Sequence, residues 1–464
     1  MDRLRDVIVV GAGPAGLSAA TRAAEFGLDV LVLDEQPAPG GQIYRNIERA
    51  DDETLRNLGP DYTQGRALVE RFRASEAAYM GGAIVWNIEP DGIVSFSTAG
   101  MSSQARAKYV VVAIGAMERP VPFPGWNLAG VMGAGAIDAN FKSSGTIPVG
   151  PVVLAGSGPL LLLIIGHLAD LGVGIRAVLD TTPKGNVLSA LPHLPKALRR
   201  SDYLLKGVGM LLNLKRSRAQ YHQNVNAYAA HGEKQLQRVS FTVNGSTHKI
   251  DSDMLLVHEG IVPRCDFTRL LGLRHHWNVV QRYWYPETNL FGATEMGGIY
   301  VAGDSAFVHG GISAGLKGSL VAFDIARRLK VPQNNEKAHA LQRLKKRLSS
   351  ELAPRPFVDA LYKPHRDLYR VSDETIVCRC EEVTAGDIRQ TIREGCREPN
   401  EIKALTRCGM GHCQGRMCGA GLAEIAAGEL SIKTCDLQPL NIRSPVRNLP
   451  LAELAEMELL GNSN

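Results

Sequence analysis

Apolar and polar residues alternate in blocks along the first 330 positions, and the blocks repeat. "VIVV" at Val7–Val10 is an unbroken β-branched run, the pattern of a strand buried on both faces, and it ends in "GAGPAG". "PAGLSAATRAAEFG" then spaces its apolar residues as one face of a helix does, and "DVLVLDE" returns to a buried strand. The order recurs later. "PVVLAGSGPLL" repeats "VIVVGAGPAGL" with Gly156 standing 145 residues after Gly11, and "MLLVHEG" repeats "VVVAIGA" with Gly260 standing 145 residues after Gly115. Each copy is predicted to run strand, glycine turn, helix, strand, β-meander, and a strand returning to the first sheet.

That plan is α/β, with two Rossmann-like dinucleotide-binding units. In the first unit Gly11, Gly13 and Gly16 follow a strand and open a helix. Glycines there permit a tight turn and let a pyrophosphate approach the helix N-terminus, where free N–H groups and the dipole favour an anion. Asp34 closes the next strand 23 residues after Gly11, where a carboxylate meets adenosine ribose hydroxyls, and Glu35 is the neighbouring candidate. Gly40 and Gly41 let backbone pass close to a flat cofactor. "IYVAGD" ends a later strand in Gly303 and Asp304, ahead of a glycine-rich turn and a helix opening near Gly311. A carboxylate there suits ribitol hydroxyls, and the helix N-terminus suits the electron-rich edge of a reduced isoalloxazine. The second unit keeps Gly156 and Gly158 but places Leu161 where the repeat expects a third glycine, which would crowd a pyrophosphate. Asp180 closes its next strand and would repel a 2'-phosphate. NAD(H), another adenine nucleotide and no ligand all stay open for this unit.

Composition narrows the setting. The chain has 464 residues, 45% hydrophobic and 21% charged, enough for two or three domains, and a net charge of +5. The dense basic run Lys345, Lys346 and Arg347 reads as a solvated helix face, so no nucleic-acid partner is expected. The N-terminus enters a core strand too early for a signal peptide. "VVLAGSGPLLLLIIGHLADLGVG" is broken by a turn and carries His167 and Asp170, so no transmembrane segment is expected and the location is read as cytoplasmic.

In a reducing compartment clustered cysteines bind metal or do redox chemistry. Six of the eight cysteines lie in "VCRCEEVTAGDIRQTIREGCREPNEIKALTRCGMGHCQGRMCG". An extended "IVCRCEEV" puts Cys378 and Cys380 on one face and Arg379 on the other. Thr384 and Asp387 form a capping-box start for one helix, and "PNEIKALTR" is a second. Cys396 is expected within a helix, and Cys265 and Cys435 as ordinary buried residues. Both Cys408/Cys413 and Cys413/Cys418 are C-x4-C pairs, so spacing alone does not choose between them, and four thiolates suit zinc or an iron–sulfur cluster alike.

The glycine turn, Asp34, Gly40–Gly41, "VVVAIGAMERPVPFPG" and "IYVAGD" together resemble the two-dinucleotide-binding-domain flavoproteins of the glutathione and thioredoxin reductase type. This implies FAD held by Gly11, Gly13, Pro14, Ala15, Gly16, Asp34, Glu35, Gly40, Gly41, Gln42, Ala113, Gly115, Gly303, Asp304, Gly311 and Ile312. The cysteine region, with its "C-x-C-E…T-R-x-G-M-G-x-C-Q-G-x-x-C" pattern, resembles the small helical domain of bacterioferritin-associated ferredoxin (BFD) type. That likeness implies a [2Fe–2S] cluster on Cys378, Cys380, Cys413 and Cys418, with Cys408 a non-ligand. The implied domains are 1–125 with 285–330 for FAD, 126–284 for the second unit, 331–371 as a connector with one amphipathic helix, 372–428 for the cluster, and a tail, 429–464.

With "LLVHEG" and the tail "NIRSPVRNLPLAELA", the whole chain resembles the larger subunit of bacterial multi-subunit amino-acid dehydrogenases of the opine oxidase, D-hydroxyproline dehydrogenase and hydrogen cyanide synthase type. The resemblance implies an electron-transfer subunit in a hetero-oligomer with a catalytic FAD-dependent, amino-acid-oxidising subunit. Some members add an FMN at the subunit interface and a small ferredoxin-like subunit. No catalytic residue is expected in this chain, and its connector arginines, Arg355, Arg366 and Arg370, fit a partner surface or solvent. The alternatives are a freestanding NADH-dependent flavin and iron–sulfur reductase and a non-catalytic assembly subunit. A disulfide reductase is excluded, since Cys265 alone precedes residue 378.

Overall fold

The computed structural model describes residues 3–332, 334–455 and 457, so parts of the expected first unit (1 and 2), connector (333) and tail (456 and 458–464) lie outside the described residues. The strand Arg5–Val10, buried from Val7 onward, lies within a seven-stranded sheet. It pairs in parallel with Val30–Asp34 on one side and with Met101–Val112 on the other. Val30–Asp34 pairs on with Ala78–Gly81, while Met101–Val112 turns outward into the antiparallel strands Ile93–Thr98 and Ile84–Ile88. The seventh strand, Ile299–Val301, arrives from beyond the second unit and pairs in parallel with Val110–Val112.

The second unit repeats the plan. Its five-stranded parallel sheet runs Gln220–Gln223, Ile175–Asp180, Val152–Gly156, Leu255–His258 and Val131–Gly133, with a separate three-stranded meander over 225–251. Leu161 is buried among Val152, Leu154, Ile164 and Ile165, where it fills the space between helix Pro159–Asp170 and the sheet.

Helix Pro14–Glu25 lies on helix Gly311–Arg328 almost backbone to backbone. A Cβ on Gly318 would stand 2.0 Å from the carbonyl oxygen of Ala15, and one on Gly303 would stand 2.6 Å from the Ala15 Cβ. Small residues on both helices, with Ala19, Ala23, Ala314 and Ala322 in the same core, set that distance. Both helices start at a glycine turn, after Gly13 and after Gly310.

The connector holds two helices rather than one, Asn335–Glu351 and Arg355–Leu361, because the "LAPRP" stretch breaks the first and Pro356 seeds the second. Beyond it, a short strand pair and helices Ala385–Arg393, Pro399–Thr406 and Gly419–Leu430 bury Val377, Ile388, Ile402, Leu422 and Ile425. The Thr384/Asp387 capping box is present and contributes about 1 kcal/mol. Two cysteines depart from expectation. Cys396 lies past its helix, which ends at Arg393 before the positive-φ Gly395, and Cys435 is exposed in a surface turn.

This small domain is fixed to the larger body. Trp126 Nε1 donates to the carbonyl of Ile376 at 2.6 Å, Arg379 lies 5.2 Å over the Trp126 ring, and Arg282 pairs with Glu424 at 2.7 Å. The tail then crosses back to the first unit. Gln414 and Arg416 donate to the carbonyls of Pro445 and Val446, Val446 N–H donates to Trp86, and Arg447 pairs with Glu35.

Replacing Gly318 by Val drives a side chain into a fixed backbone carbonyl. The expected loss is on the order of 3 kcal/mol, read as a lowered unfolding midpoint. Gly428→Ala, where a Cβ meets nothing, should leave the midpoint unchanged or slightly raised.

Candidate functional site

At the carboxyl ends of the first sheet, several expected cofactor residues converge. Gly40 N–H donates to the carbonyl of Ala12 at 2.9 Å, so the Gly40–Gly41 loop folds back over the glycine turn. A Cβ on Gly41, where φ is +63°, would stand 2.7 Å from Gly13 Cα. The Gly11 turn touches Ala113, and the Gly303 turn touches Ala15. Gly311 faces Pro14, Ile43 and the Tyr44 hydroxyl, so the second helix N-terminus opens toward the first. Gly115 N–H donates to Ser305 Oγ at 2.6 Å and ties the two halves of the crevice together.

The acids divide their tasks. Asp34 is buried, and its carboxylate accepts from Ala12 N–H at 2.5 Å and Gln36 N–H at 2.7 Å, at the rim of the glycine turn. Burial pushes its carboxyl up while those bonds oppose the shift. Glu35 pairs with Arg447, and Gln42 is exposed and accepts from Arg45. Asp304 Oδ1 accepts from the N–H groups of His309 and Gly310, at 2.8 and 3.1 Å, which shapes the turn before helix Gly311–Arg328.

Beside Asp304 stands a pair absent from the sequence reading. Lys317 Nζ lies 2.7 Å from His309 Nδ1, and the His309 ring stacks on Phe307 with centroids 4.7 Å apart. Burial, then Lys317 and Arg355, push His309 down to about 2, and burial pushes Lys317 down to about 8. At neutral pH the ammonium therefore donates to a neutral imidazole, whose own proton sits on Nε2. Arg355 acts on this group while paired to Asp359, so it is committed here rather than to solvent; Arg366 and Arg370 are exposed. The glycine-rich turn is legible in the sequence, but no local pattern announces a lysine eight residues after His309.

The second glycine turn is walled differently. A Cβ on Gly156 would stand 1.8 Å from the carbonyl oxygen of His258, and the His258 ring lies beside Gly158. His258 Nδ1 is 2.7 Å from Glu118 Oε1, which also accepts from Gly135 N–H. Glu259 is buried and accepts from Thr181 and Tyr228; burial pushes its carboxyl up to about 7. Asp180 is already engaged by Thr182 N–H and the Tyr221 hydroxyl. The His258 ring, held by Glu118, thus stands against the second glycine turn.

In the small domain the Sγ atoms of Cys378, Cys408 and Cys418 lie within 4.8 Å of one another. Cys413 stands between Cys418 and the less buried Cys380. Backbone N–H groups of Gly409 and Glu381 point at the Cys378 sulfur, and those of Met417 and Gly415 at Cys413. Hydrogen bonding from Cys408 and Cys418 holds Cys378 well below the usual thiol range, and Cys408 is pushed up by its bond to Cys378 and by burial. Cys408, expected as a non-ligand, lies within the same thiol group. The positive φ at Arg407 turns the chain so that Cys408 enters the core. "IVCRC" is extended only to Cys378, because the strand pair shifts register there.

Residues 5–330 match the pyridine nucleotide-disulphide oxidoreductase model, and residues 376–427 match the BFD-like [2Fe-2S] binding domain. The chain is 40% identical to an opine oxidase subunit of Agrobacterium tumefaciens (strain Ach5), over 97% of this chain and 92% of that one. The chain belongs to this family of opine oxidase subunits. The family member is also 30% identical to hydrogen cyanide synthase subunit HcnB of Pseudomonas aeruginosa, over 89% and 90% of the two chains. Its fold is that of L-proline dehydrogenase from P. horikoshii, with TM-score 0.74 and 20% identity over 98% of this chain and 80% of that one. The thioredoxin reductase of T. acidophilum overlays 70% of the chain, at TM-score 0.51 and 19% identity. The opine oxidase homologue is accordingly an oxidoreductase subunit carrying FAD and a [2Fe–2S] cluster, and no helix among the described residues is long and apolar enough to cross a membrane.

The residues fit both groups. Gly13 and Gly41 approach closer than any side chain would allow, and the two helices that begin after Gly13 and Gly310 present their N-termini to the same side of the first sheet. A buried thiol set with N–H groups aimed at sulfur is the donor chemistry of an iron–sulfur cluster.

Three outcomes are expected. Asp304→Ala should cost FAD affinity by about 1.5–3 kcal/mol in equilibrium titration. Cys413→Ser or Cys418→Ser should abolish the cluster absorbance with FAD retained, whereas Cys408→Ser should keep it. Glu259 has a folded pKa raised above the unfolded value, so its share of stability is full below pH 4.5 and declines toward pH 7. Glu259→Gln should flatten that decline, on the order of 3 kcal/mol, in denaturant titrations at pH 4.5, 6 and 7.5.

Proposed function

We propose that this chain is the electron-relay subunit of a heteromeric amino-acid dehydrogenase acting on an opine or a D-hydroxyproline-like amine. Electrons from a separate catalytic flavoprotein subunit would pass through FAD and the [2Fe–2S] cluster to an acceptor. One observation carries the reading. The cysteine strand is locked to the flavoprotein body through Trp126, Arg379 and the Arg282–Glu424 pair, so the two cofactor sites share one rigid frame.

When bound, FAD accepts an electron pair and the cluster accepts single electrons. The chain's own residues prepare for this. Gly11, Gly13, Ala15 and Gly16 offer backbone N–H groups and, with Pro14 opening the helix, a positive helix end to the pyrophosphate, Asp34 holds that turn in shape, and Asp304 faces the ribitol. Gly40 and Gly41 admit the ring, with Ala113 and Gly115 along the wall, and Gly303, Gly311 and Ile312 place the second helix N-terminus at the pyrimidine edge. Cys378, Cys380, Cys413 and Cys418 hold the cluster in this reading, with Cys408 a buried thiol donating to Cys378. The second unit serves as the frame on which the cluster domain is mounted, since Trp126 and Arg282 hold that domain. An interfacial FMN and a small ferredoxin-like subunit belong to the same reading, as does a cytoplasmic location.

Alone, the chain should reduce no dye with proline, hydroxyproline, opines, sarcosine or glycine, and activity should appear on adding the catalytic subunit. Turnover of any of these by the isolated chain at the rate of the complex would move the amine site into this sequence and refute the relay.

A further inference from the structure

The two units of the repeat cross over between corresponding strands with a long helix each, and the helices are not alike. In the first unit, helix Asp52–Arg73 buries Leu58, Tyr62, Val69 and Phe72. In the second, helix Ser201–Arg216 buries Leu214 alone. Its Leu205, Val208 and Leu212, at i, i+3 and i+7, form one stripe that faces outward, with Leu205 70% exposed. The segment before it does the same, with Leu188 72% exposed beside the exposed Val187. Among the described residues, eight of the 22 exposed large apolar side chains fall within positions 187–212. Single exposed leucines are ordinary, but such a concentration marks an interaction site.

The segment's own charge is mostly basic, with Arg200 paired to Asp202 and Glu351 and Lys206 paired to Asp61. Positions 184–218 hold eight lysines and arginines against one acid, Asp202, a net of +7. The whole chain carries +5, so the remainder carries 5 − 7 = −2. A second copy meeting this face with its own would bring like charges together, which disfavours self-association.

The segment also packs against the connector helices. Asn186 Nδ2 donates to the carbonyls of Leu361 and Lys363, at 3.1 and 2.8 Å, while Arg200 and Tyr203 both bond Glu351. These bonds pin it to the connector helices. From the same connector Arg355 acts on Asp304, His309 and Lys317. A protein seated on 187–212 therefore lies one helix away from the turn that opens the flavin-facing helix.

We propose that the apolar, basic-rimmed crossover 184–218 is the docking surface for the electron-donating subunit, namely a protein chain presenting an apolar patch ringed by carboxylates. This rests on the relay reading and adds where the donor binds. The test uses the full chain with FAD and cluster bound, co-expressed with the amine-oxidising flavoprotein subunit. In the wild-type complex, backbone amides of 186–216 should exchange with deuterium at least tenfold more slowly than in the chain alone. Leu205→Glu combined with Leu212→Glu should keep the flavin and cluster absorbance yet weaken assembly at least 100-fold, and Lys196→Glu should weaken assembly most at low salt, with a shallower salt dependence than the wild type. Unchanged exchange in the complex, or unchanged affinity of the double variant, overturns the surface while leaving the relay standing. Complete failure of the wild-type chain to bind that flavoprotein refutes the relay itself. Self-association of the lone chain that the double variant abolishes would assign the face to a second copy, and sedimentation with vesicles of 30% phosphatidylglycerol that it abolishes would assign it to lipid; either overturns the proposal.

Discussion

The contact between Ala15 and Gly318 governs the geometry of the flavin unit. Two helices separated by most of the chain approach until a backbone carbonyl and a glycine Cα touch, and no side chain larger than hydrogen fits between them. Because each helix begins at a glycine turn, that single approach brings two positive helix ends to one crevice, a place for a pyrophosphate and a place for a ring edge. The Gly40–Gly41 loop then closes over them through the Gly40–Ala12 hydrogen bond, and Gly115 and Ser305 join the walls.

What the linear pattern revealed follows from the range of the forces involved. The strands, both glycine turns and the capped cluster helix depend on neighbours in sequence, so "VIVVGAGPAG" and "T-x-x-D" announce them. The Glu118–His258 and Lys317–His309 pairs depend on partners brought together by folding, and isolated polar letters carry no such signal. Cys408 shows the same limit. Its spacing to Cys413 equals that of Cys413 to Cys418, and only the left-handed turn at Arg407 decides that it points inward. Glu35 and Gln42 are adjacent in sequence to residues of the crevice but face other partners, because side chains on a strand end or loop leave the backbone in different directions.

Leu161 and the outward stripe of helix Ser201–Arg216 suggest how a duplicated nucleotide unit changes use. The leucine trades a close helix approach for core volume, and the His258 ring, held by Glu118, stands beside the turn. What the unit retains is a stiff sheet with its edges occupied, to which Trp126 and Arg119 anchor other parts of the chain. Arg119 donates to the carbonyls of Glu259, Gln281 and Arg282, so it joins the second unit to the hairpin 275–286, and the Arg282 side chain carries the link on to Glu424 of the cluster domain.

The strand Ile299–Val301 completes the first sheet only after the whole second unit has been laid down, and this sets the order of biosynthesis. While the ribosome is still making residues 126–284, the first sheet lacks its last strand and the helix that faces Ala15. The inserted unit, whose five strands all lie between residues 131 and 258, has everything it needs. The nascent chain therefore finishes its guest before its host, and cofactor loading is a late event that waits for residue 328 to clear the exit tunnel.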